Sequence, residues 1–433
     1  MERTKVLGWR DIRQATASLA FLFVILIVAT PQVEGQTFTV LHTFTGGPDG
    51  ANPEAGLTLD HGNLYGTTAG GGLSAGGHSF GTVFRMQFRG SGWIFAPLYN
   101  FSGGDGDSPH GRVTFGPDGS LYGTTADGRG NGCSCGNVFN LKPPPTRPAN
   151  PLTPWLETVL YQFDYFAGDG NNPAGDIVFD ATGNLFGTTY TGGNDQMCGG
   201  LGCGTVYELT RSGQSWTANF IYAFTEVAYN PLSGVTRDPA GNLYFTASQG
   251  NIAHGAVLEL TPAGSGWTAN TLYSFNGSGP GYPVAGLILD SQGNLYGAAS
   301  VGGSGGGGTV FQLTPSGGGW NLETLYSLSG NQMGRAGPNA SLLMDSAGNL
   351  YGTTAADGAY GKGSVFKLTP GEGGWTYTTL YDFTGGADGG DPAGALVMDG
   401  SGNLYGTTYA GGTVGSHCES SGSQCGVVFE ITP

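Results

Sequence analysis

Positive charge is scarce in this chain of 433 residues. It has 15 lysine and arginine residues against 31 aspartate and glutamate residues, and its formal net charge is -16 at pH 7. Such an acidic surface repels nucleic-acid phosphates and anionic lipids, so neither is expected as a partner. No stretch after residue 35 keeps a helical hydrophobic period over ten residues, and no phosphate loop or dinucleotide fingerprint occurs. Helical and nucleotide-binding folds are therefore not expected.

Long hydrophobic runs are also missing, apart from one near the N-terminus. An apolar stretch from Leu19 to Ala29 follows four basic residues within positions 3–13. It is well short of the roughly 20 residues that span a bilayer. This order is typical of a secretory signal peptide, and the alternative is an uncleaved membrane anchor. We predict that residues 1–35 direct export and are removed. The mature domain, 36–433, would then be secreted or held in the periplasm or cell envelope, without membrane insertion.

One phrase, Gly-Asn-Leu-Tyr-Gly-Thr-Thr at residues 62–68, is repeated with small variations along the whole mature chain. The later copies begin at residues 119, 183, 241, 293, 348 and 402. A period of this length indicates one small supersecondary unit stacked repeatedly in a single domain. Each unit contains four short segments rich in Val, Thr, Tyr and Phe and bounded by Gly, Pro, Asp and Asn, a composition typical of strands and turns.

Seven units of four short antiparallel strands predict an all-β fold, a seven-bladed β-propeller. A β-solenoid is the competing architecture, but its coils usually take far fewer residues. The last unit stops after its third strand, at residues 426–431, and the missing fourth strand matches the N-terminal segment 38–44. We therefore predict that the N-terminal strand completes the last blade and closes the ring, which removes the open sheet edges.

Three phrases carry a family resemblance: Gly-Asn-Leu-Tyr-Gly-Thr-Thr, Gly-Thr-Val-Phe at residues 81–84 and the Leu-Tyr-x-Phe ending at residues 272–275. They resemble the GloVer tandem repeat of exported bacterial proteins of unknown function, over essentially the whole mature chain. The Asp-x-x-Gly-Asn-Leu-Tyr segment is also similar to NHL-type propeller repeats. This second resemblance implies that the Ala-Gly-Leu strand is innermost in each blade and the Trp strand outermost.

Long loops are concentrated in units 7, 1, 2 and 3, which become neighbours once the ring closes. The loops between their second and third strands run over 409–425, 69–80, 126–135 and 190–203, whereas those of units 4, 5 and 6 shrink to 248–254, 300–307 and 355–362. The acidic inter-unit links of the same four units contain Asp49, Asp105, Asp107, Asp169, Asp388 and Asp391. Because loops on a rigid scaffold usually carry binding, we predict that these aspartates, together with His110, bind a ligand.

All six cysteines also fall in this sector. Even numbers of cysteines within single loops of an exported chain predict local disulfides, here Cys133–Cys135, Cys198–Cys203 and Cys418–Cys425. The first bridge would be strained because it spans only one residue. A zinc site is the rival interpretation, but the pairs lie in different units with only His417 nearby. A Ca²⁺ site at residues 104–107 is less favoured than solvated turns, because calcium needs six to eight oxygen ligands. No cofactor is predicted.

The sequence favours a monomeric binding module over an enzyme. We predict that the long-loop face of blades 7, 1, 2 and 3 recognises an extracellular glycan, polymer or protein, and aromatic and carboxylate groups suit a glycan best. The alternative is a propeller lyase or hydrolase with its site at the mouth of the central channel, where His110 precedes an innermost strand. A purely structural envelope protein is the third hypothesis.

Overall fold

A computed structural model describes twelve segments of the chain. They are residues 36–72, 79–130, 133–144, 155–173, 175–193, 197–213, 215–250, 254–277, 279–329, 337–412, 418 and 424–433. The predicted signal peptide, residues 1–35, lies outside them. Seven four-stranded antiparallel sheets form the blades of a ring, which confirms the predicted β-propeller. Among the described residues, no helix combines the length and hydrophobicity needed to cross a membrane.

The four strands of each blade follow one another from the innermost to the outermost position. Blade 1 consists of β2 (Thr58–Asp60), β3 (Asn63–Thr68), β4 (Thr82–Arg89) and β5 (Gly92–Asn100). Blade 2 consists of β6 (Thr114–Phe115), β7 (Leu121–Thr125), β10 (Asn137–Lys142) and β11 (Leu156–Gln162), with a small hairpin, β8 (Arg129–Gly130) and β9 (Cys133–Ser134), in its loop. Blade 3 consists of β12 (Val178–Phe179), β13 (Leu185–Thr189), β14 (Thr205–Ser212) and β15 (Ser215–Ala223). Blade 4 consists of β16 (Thr236–Arg237), β17 (Leu243–Ala247), β18 (Ala256–Ala263) and β19 (Gly266–Ser274).

The remaining three blades follow the same order. Blade 5 consists of β20 (Ile288–Leu289), β21 (Leu295–Ala299), β22 (Gly306–Ser316) and β23 (Gly319–Ser329). Blade 6 consists of β24 (Leu343–Met344), β25 (Leu350–Thr354), β26 (Ser364–Gly371) and β27 (Gly374–Asp382). Blade 7 consists of β28 (Val397–Met398), β29 (Leu404–Thr408), β30 (Val427–Thr432) and β1 (Thr37–Thr43). Two 3₁₀ turns, Tyr165–Ala167 and Cys198–Gly200, lie in loops.

The N-terminal strand closes the ring as the sequence predicted. Strand β1 pairs antiparallel with β30, with Thr37 opposite Thr432 and Thr43 opposite Val427. Blade 7 is then joined to blade 1 by a hydrogen bond from the Thr407 hydroxyl to the Ala55 carbonyl, 3.0 Å long. Every blade therefore has two neighbours in a closed ring.

The hydrophobic core lies within and between the blades. In blade 1 the Phe84 side chain on β4 is fully buried and crosses over Gly66 of β3. A Cβ atom at Gly66 would lie 2.5 Å from the Phe84 ring, so the second glycine of the repeated phrase is required for this contact. Tryptophans on outermost strands reach the preceding blade, as Trp93 does with Tyr405 at a ring separation of 5.6 Å.

The Asp-x-x-Gly-Asn hairpins have a structural role. The Asp290 carboxylate accepts hydrogen bonds from the backbone N–H groups of Gln292 and Asn294, from the Asn294 amide and from the Tyr296 hydroxyl, at 2.8 to 3.1 Å. These hydrogen bonds outweigh burial and lower the pKa of Asp290. The same arrangement recurs at Asp345 and Asp399. These carboxylates are therefore committed to turn formation on the face opposite the long loops.

Candidate functional site

The central channel is lined by residues that directly follow the prolines of the inter-blade links. Six of these residues line the mouth of the channel: Glu54, His110, Leu232, Val284, Asn339 and Ala393. Their counterpart in blade 3, Ala174, lies outside the described residues. The repeat places equivalent backbone positions around one ring, so differences among these side chains determine the chemistry of the mouth. Among the described members of this ring, only those of blades 1 and 2 are charged or titratable.

Above this ring the mouth widens into a cavity of about 1180 Å³ on the long-loop face. Its wall combines carboxylates, amides, hydroxyls and one aromatic ring, supplied by Glu54, Asp391, Gln249, Asn339, Ser300 and Tyr282, among others. Tyr282 is 38% exposed, and its ring packs edge-on against His254 at 5.4 Å. The cavity therefore presents a fixed aromatic face next to hydrogen-bonding groups.

Glu54 and His110 form an ion pair between blades 1 and 2. The Nδ1 atom of His110 lies 2.6 Å from Oε2 of Glu54, and both side chains are about one-third exposed. Burial lowers the pKa of His110, but the hydrogen bond and charge of Glu54 oppose this effect. With the charges of Asp127 and Asp107, they raise the His110 pKa above its usual 6.5. The pair therefore favours the imidazolium form beside a carboxylate.

Asp391 contributes a second carboxylate to the same mouth, from the link that enters blade 7. Burial raises its pKa, the charge of Glu54 raises it further, and Lys362 partly offsets both effects. Its backbone has a φ of 53°, a left-handed conformation that is uncommon for a residue other than glycine, asparagine or aspartate. The structure thus brings Asp391 together with Glu54 and His110.

A second charged pair lies one step deeper in the channel. Arg112 and Asp176 occupy the third position after the link proline in blades 2 and 3. The guanidinium of Arg112 lies 2.9 Å from the Asp176 carboxylate, which also accepts the Arg112 backbone N–H at 2.8 Å. At the same level other blades place Gly56, Gly234 and Gly286. Among the described residues at this level, the charged side chains therefore come from blades 2 and 3.

The other predicted link aspartates lie elsewhere and form hydrogen bonds within their own links. Asp49 accepts the backbone N–H of Thr45 at 3.0 Å and contacts His42 Nε2 at 3.2 Å. The three equivalent carboxylates each accept a tyrosine hydroxyl of the preceding strand and a link backbone N–H: Asp105 with Tyr99 and Ser102, Asp169 with Tyr161 and Asp164, and Asp388 with Tyr381 and Thr384. Each of these aspartates holds the turn of its own link.

Asp107, the remaining predicted link aspartate, lies in the link between blades 1 and 2. Its carboxylate accepts the Ser108 hydroxyl at 2.9 Å, and its backbone pairs with that of Asp127. The 104–107 segment was the predicted calcium alternative. Among the described residues, no group of three His, Cys, Asp or Glu side chains is arranged to hold a metal ion.

The three predicted disulfides form. Their Cα–Cα distances are 5.4 Å for Cys133–Cys135, 5.3 Å for Cys198–Cys203 and 5.4 Å for Cys418–Cys425. The second cysteine of each pair directly precedes the glycine that lies just before the third strand of blade 2, 3 or 7, and all three of these cysteines are buried. The disulfides fix the bases of three long loops. They indicate an oxidising environment, extracellular or periplasmic.

Sequence reasoning placed His110 at the channel but missed Glu54, Lys362 and the importance of Asp391 among the aspartates. The signal was present: aligning the seven link prolines places Glu54, His110 and their counterparts in one column. Only the structure shows that this column faces the channel and that Asp391 lines the same cavity. His417, considered for a metal site, lies outside the described residues.

The model of the Gloeobacter/Verrucomicrobia repeat matches residues 28–253 and again residues 233–433. Among solved structures, the chain is similar to a putative 6-phosphogluconolactonase from Bacteroides uniformis, with 14% identity, a TM-score of 0.50, and coverage of 80% of this chain and 89% of that one. A second enzyme described in the same words, from Bacteroides fragilis, gives 16% identity, a TM-score of 0.50, and coverage of 81% and 88%. At these identities the likeness shows the propeller fold alone. No curated protein matches the sequence.

Proposed function

This chain belongs to the Gloeobacter/Verrucomicrobia repeat family, and we propose that it is an exported, monomeric binding module that holds an extracellular glycan in the mouth of its propeller channel. The observation that carries the proposal is the cavity of about 1180 Å³, in which the Glu54–His110 pair faces a wall containing Tyr282, Gln249 and Asn339. A cavity of this size accommodates a small oligosaccharide.

The chemistry of the wall suits a sugar. The ring of Tyr282 offers an apolar face to the C–H groups of a pyranose, and carboxylates and amides accept and donate hydrogen bonds to its hydroxyls. The Glu54–His110 pair holds its two groups in a fixed orientation before a ligand arrives, which reduces the entropy lost on binding. The proposed site lies on the same face as the long loops of blades 7, 1, 2 and 3, the predicted binding sector. We extend this sector across the channel mouth to blades 4 to 6.

A matched pair of histidine substitutions tests the proposal. His110→Asn removes the charged hydrogen bond at the mouth, and His61→Asn changes an exposed histidine on a hairpin of the opposite face. If Nε2 of His110 donates to a sugar hydroxyl, that charge-assisted hydrogen bond contributes about 1.5–3 kcal/mol, so His110→Asn is expected to weaken glycan binding roughly 10- to 100-fold. The control variant should bind like the wild type on a glycan array and in calorimetry. Equal binding by all three proteins would contradict the mouth as the site.

A second function, catalysis by a lyase or hydrolase, is favoured by one specific observation. Glu54 holds Nδ1 of His110, and the structure gives Nε2 of His110 no hydrogen-bond partner among the described residues. An imidazole held in this way by a carboxylate is suited to general acid–base catalysis. This candidate predicts turnover of a bound glycan that disappears in His110→Asn and depends on pH with the pKa of the pair. Binding without any product, followed by mass spectrometry, would reject it.

A further inference from the structure

The two mouth carboxylates, Glu54 and Asp391, belong to different blades and face the same volume. Both line the mouth cavity, and both raise the pKa of Tyr409, whose burial acts in the same direction. The Tyr409 backbone N–H is bonded to the Asp391 carbonyl at 3.0 Å. Glu54, Asp391 and Tyr409 therefore converge at the junction where blade 7 meets blade 1.

The Asp391 side chain is used differently from the other link aspartates. The positions equivalent to Asp391 in three other links hold Asn52, Ser108 and Asn172, which share its left-handed backbone. The Asp391 backbone N–H donates to the Lys362 carbonyl at 2.8 Å, but the structure gives its carboxylate no hydrogen-bond partner among the described residues. Keeping a half-buried carboxylate without such a partner costs free energy. A ligand that donates a hydrogen bond to it would recover that free energy.

Negative groups outweigh positive groups around Asp391, which favours the binding of a cation. Glu54 acts on it more strongly than Lys362 does, and the Lys362 side chain is exposed and packs over Gly385. His110 is already paired with Glu54, while Asp107 and Asp127 add negative charge beside it. The chain as a whole carries a net charge of -16, so its field attracts cations and repels anionic sugars such as uronates.

From this arrangement we propose that the ligand is a glycan with free amino groups, and that Asp391 and Glu54 bind its ammonium. An ammonium has three N–H donors, enough to satisfy both carboxylates at once with charge-assisted hydrogen bonds. Tyr282 and the amides that line the same cavity then contact the sugar ring. This inference rests on the proposed glycan-binding function and names its ligand class.

The test compares two sets of oligosaccharides with the same backbone and length, one built of glucosamine and one of N-acetylglucosamine. Acetylation removes the charge, so the wild type should bind the free-amine oligomers at least 10-fold more tightly in calorimetry, and added salt should reduce this preference. Asp391→Asn should lower the preference about 10-fold and leave binding of the acetylated oligomers unchanged. Asparagine tolerates the left-handed backbone of this position, so the variant should fold, which its melting temperature checks.

Glu372→Gln is the matched control, because Glu372 is exposed on a hairpin of the opposite face. It removes one negative charge and should leave the preference unchanged. Equal binding of the two oligomer sets, or a preference for the acetylated set, would overturn the amine assignment while leaving glycan binding intact. An equal loss of preference in Glu372→Gln would assign the effect to net charge and also overturn it. If no glycan of any kind binds, the proposed function itself fails.

Discussion

Replacing Asn137 by threonine should stabilise the propeller, because blade 2 lacks a hydroxyl–hydroxyl hydrogen bond that both neighbouring blades form between their second and third strands. In blade 1 the last residue of the second strand, Thr68, shares a hydrogen bond with the first residue of the third strand, Thr82, at 2.9 Å. Thr189 and Thr205 form the same bond in blade 3, at 2.8 Å. In blade 2 the partner of Thr125 is Asn137.

The amide of Asn137 is fully buried, and neither its Oδ1 nor its Nδ2 atom has a hydrogen-bond partner among the described residues. The facing Thr125 hydroxyl also has none. Each unsatisfied buried polar group costs about 1–3 kcal/mol, and a new hydroxyl pair contributes about 1 kcal/mol. Asn137→Thr removes the amide and restores the pair, so we expect a net gain of about 1–3 kcal/mol. In a chain of this length, this corresponds to a rise of roughly 1–4 °C in the melting temperature.

Differential scanning calorimetry and urea unfolding of residues 36–433 measure the effect. The reciprocal variant, Thr82→Asn in blade 1, breaks the Thr68 pair in the same structural position and should lose a similar amount. Opposite signs for the two variants would support the reasoning. A loss of stability in Asn137→Thr would refute it and show that the native amide is bound in a way that threonine cannot reproduce.

Three further outcomes are expected. Gly66→Ala should destabilise the fold by about 1–3 kcal/mol in urea unfolding, because the new methyl overlaps a buried phenylalanine ring, whereas Gly92→Ala, which has open space, should change little. The raised pKa of His110 gives a stabilisation that is fully present below pH 6.5 and is lost as the pH rises through the folded-state pKa, so the stability difference between the wild type and His110→Asn should shrink as the pH rises. Replacing both Cys198 and Cys203 by serine should cost about 2 kcal/mol, measured by thermal unfolding without reductant.

Most of the fold was predictable because the same pattern of strands and turns occurs seven times in the sequence. The period, the strand-like segments and the fit between residues 38–44 and the open last unit predicted the blade number and the ring closure, and the pairing of Thr37 with Thr432 confirms them. Paired cysteines within single loops likewise predicted the three disulfides. These inferences concern local contacts or contacts that recur in every blade, which a single sequence contains.

The role of an acidic side chain was much harder to predict, because it depends on the direction in which the side chain points. Asp49 and Asp391 both lie in glycine-rich links of the long-loop sector. In the structure Asp49 holds its own link through Thr45 and His42, whereas Asp391 lines the mouth. A tyrosine or histidine two residues before the buried link phenylalanine marks the aspartates that hold turns, since its ring reaches the carboxylate. Composition alone does not contain this distinction.

Packing explains why the residue after each link proline carries the chemistry. The glycine before each third strand must be glycine because the link proline lies against it: a Cβ atom at Gly136 would lie 2.5 Å from Pro173. The residue after the link proline faces the channel. It has no such constraint, and its identity differs among the blades, from Glu54 and His110 to Val284. A binding site arises only where neighbouring blades place complementary side chains at this unconstrained position after the link proline. Because Glu54 and His110 come from adjacent blades, the site depends on ring geometry, and no single blade contains it.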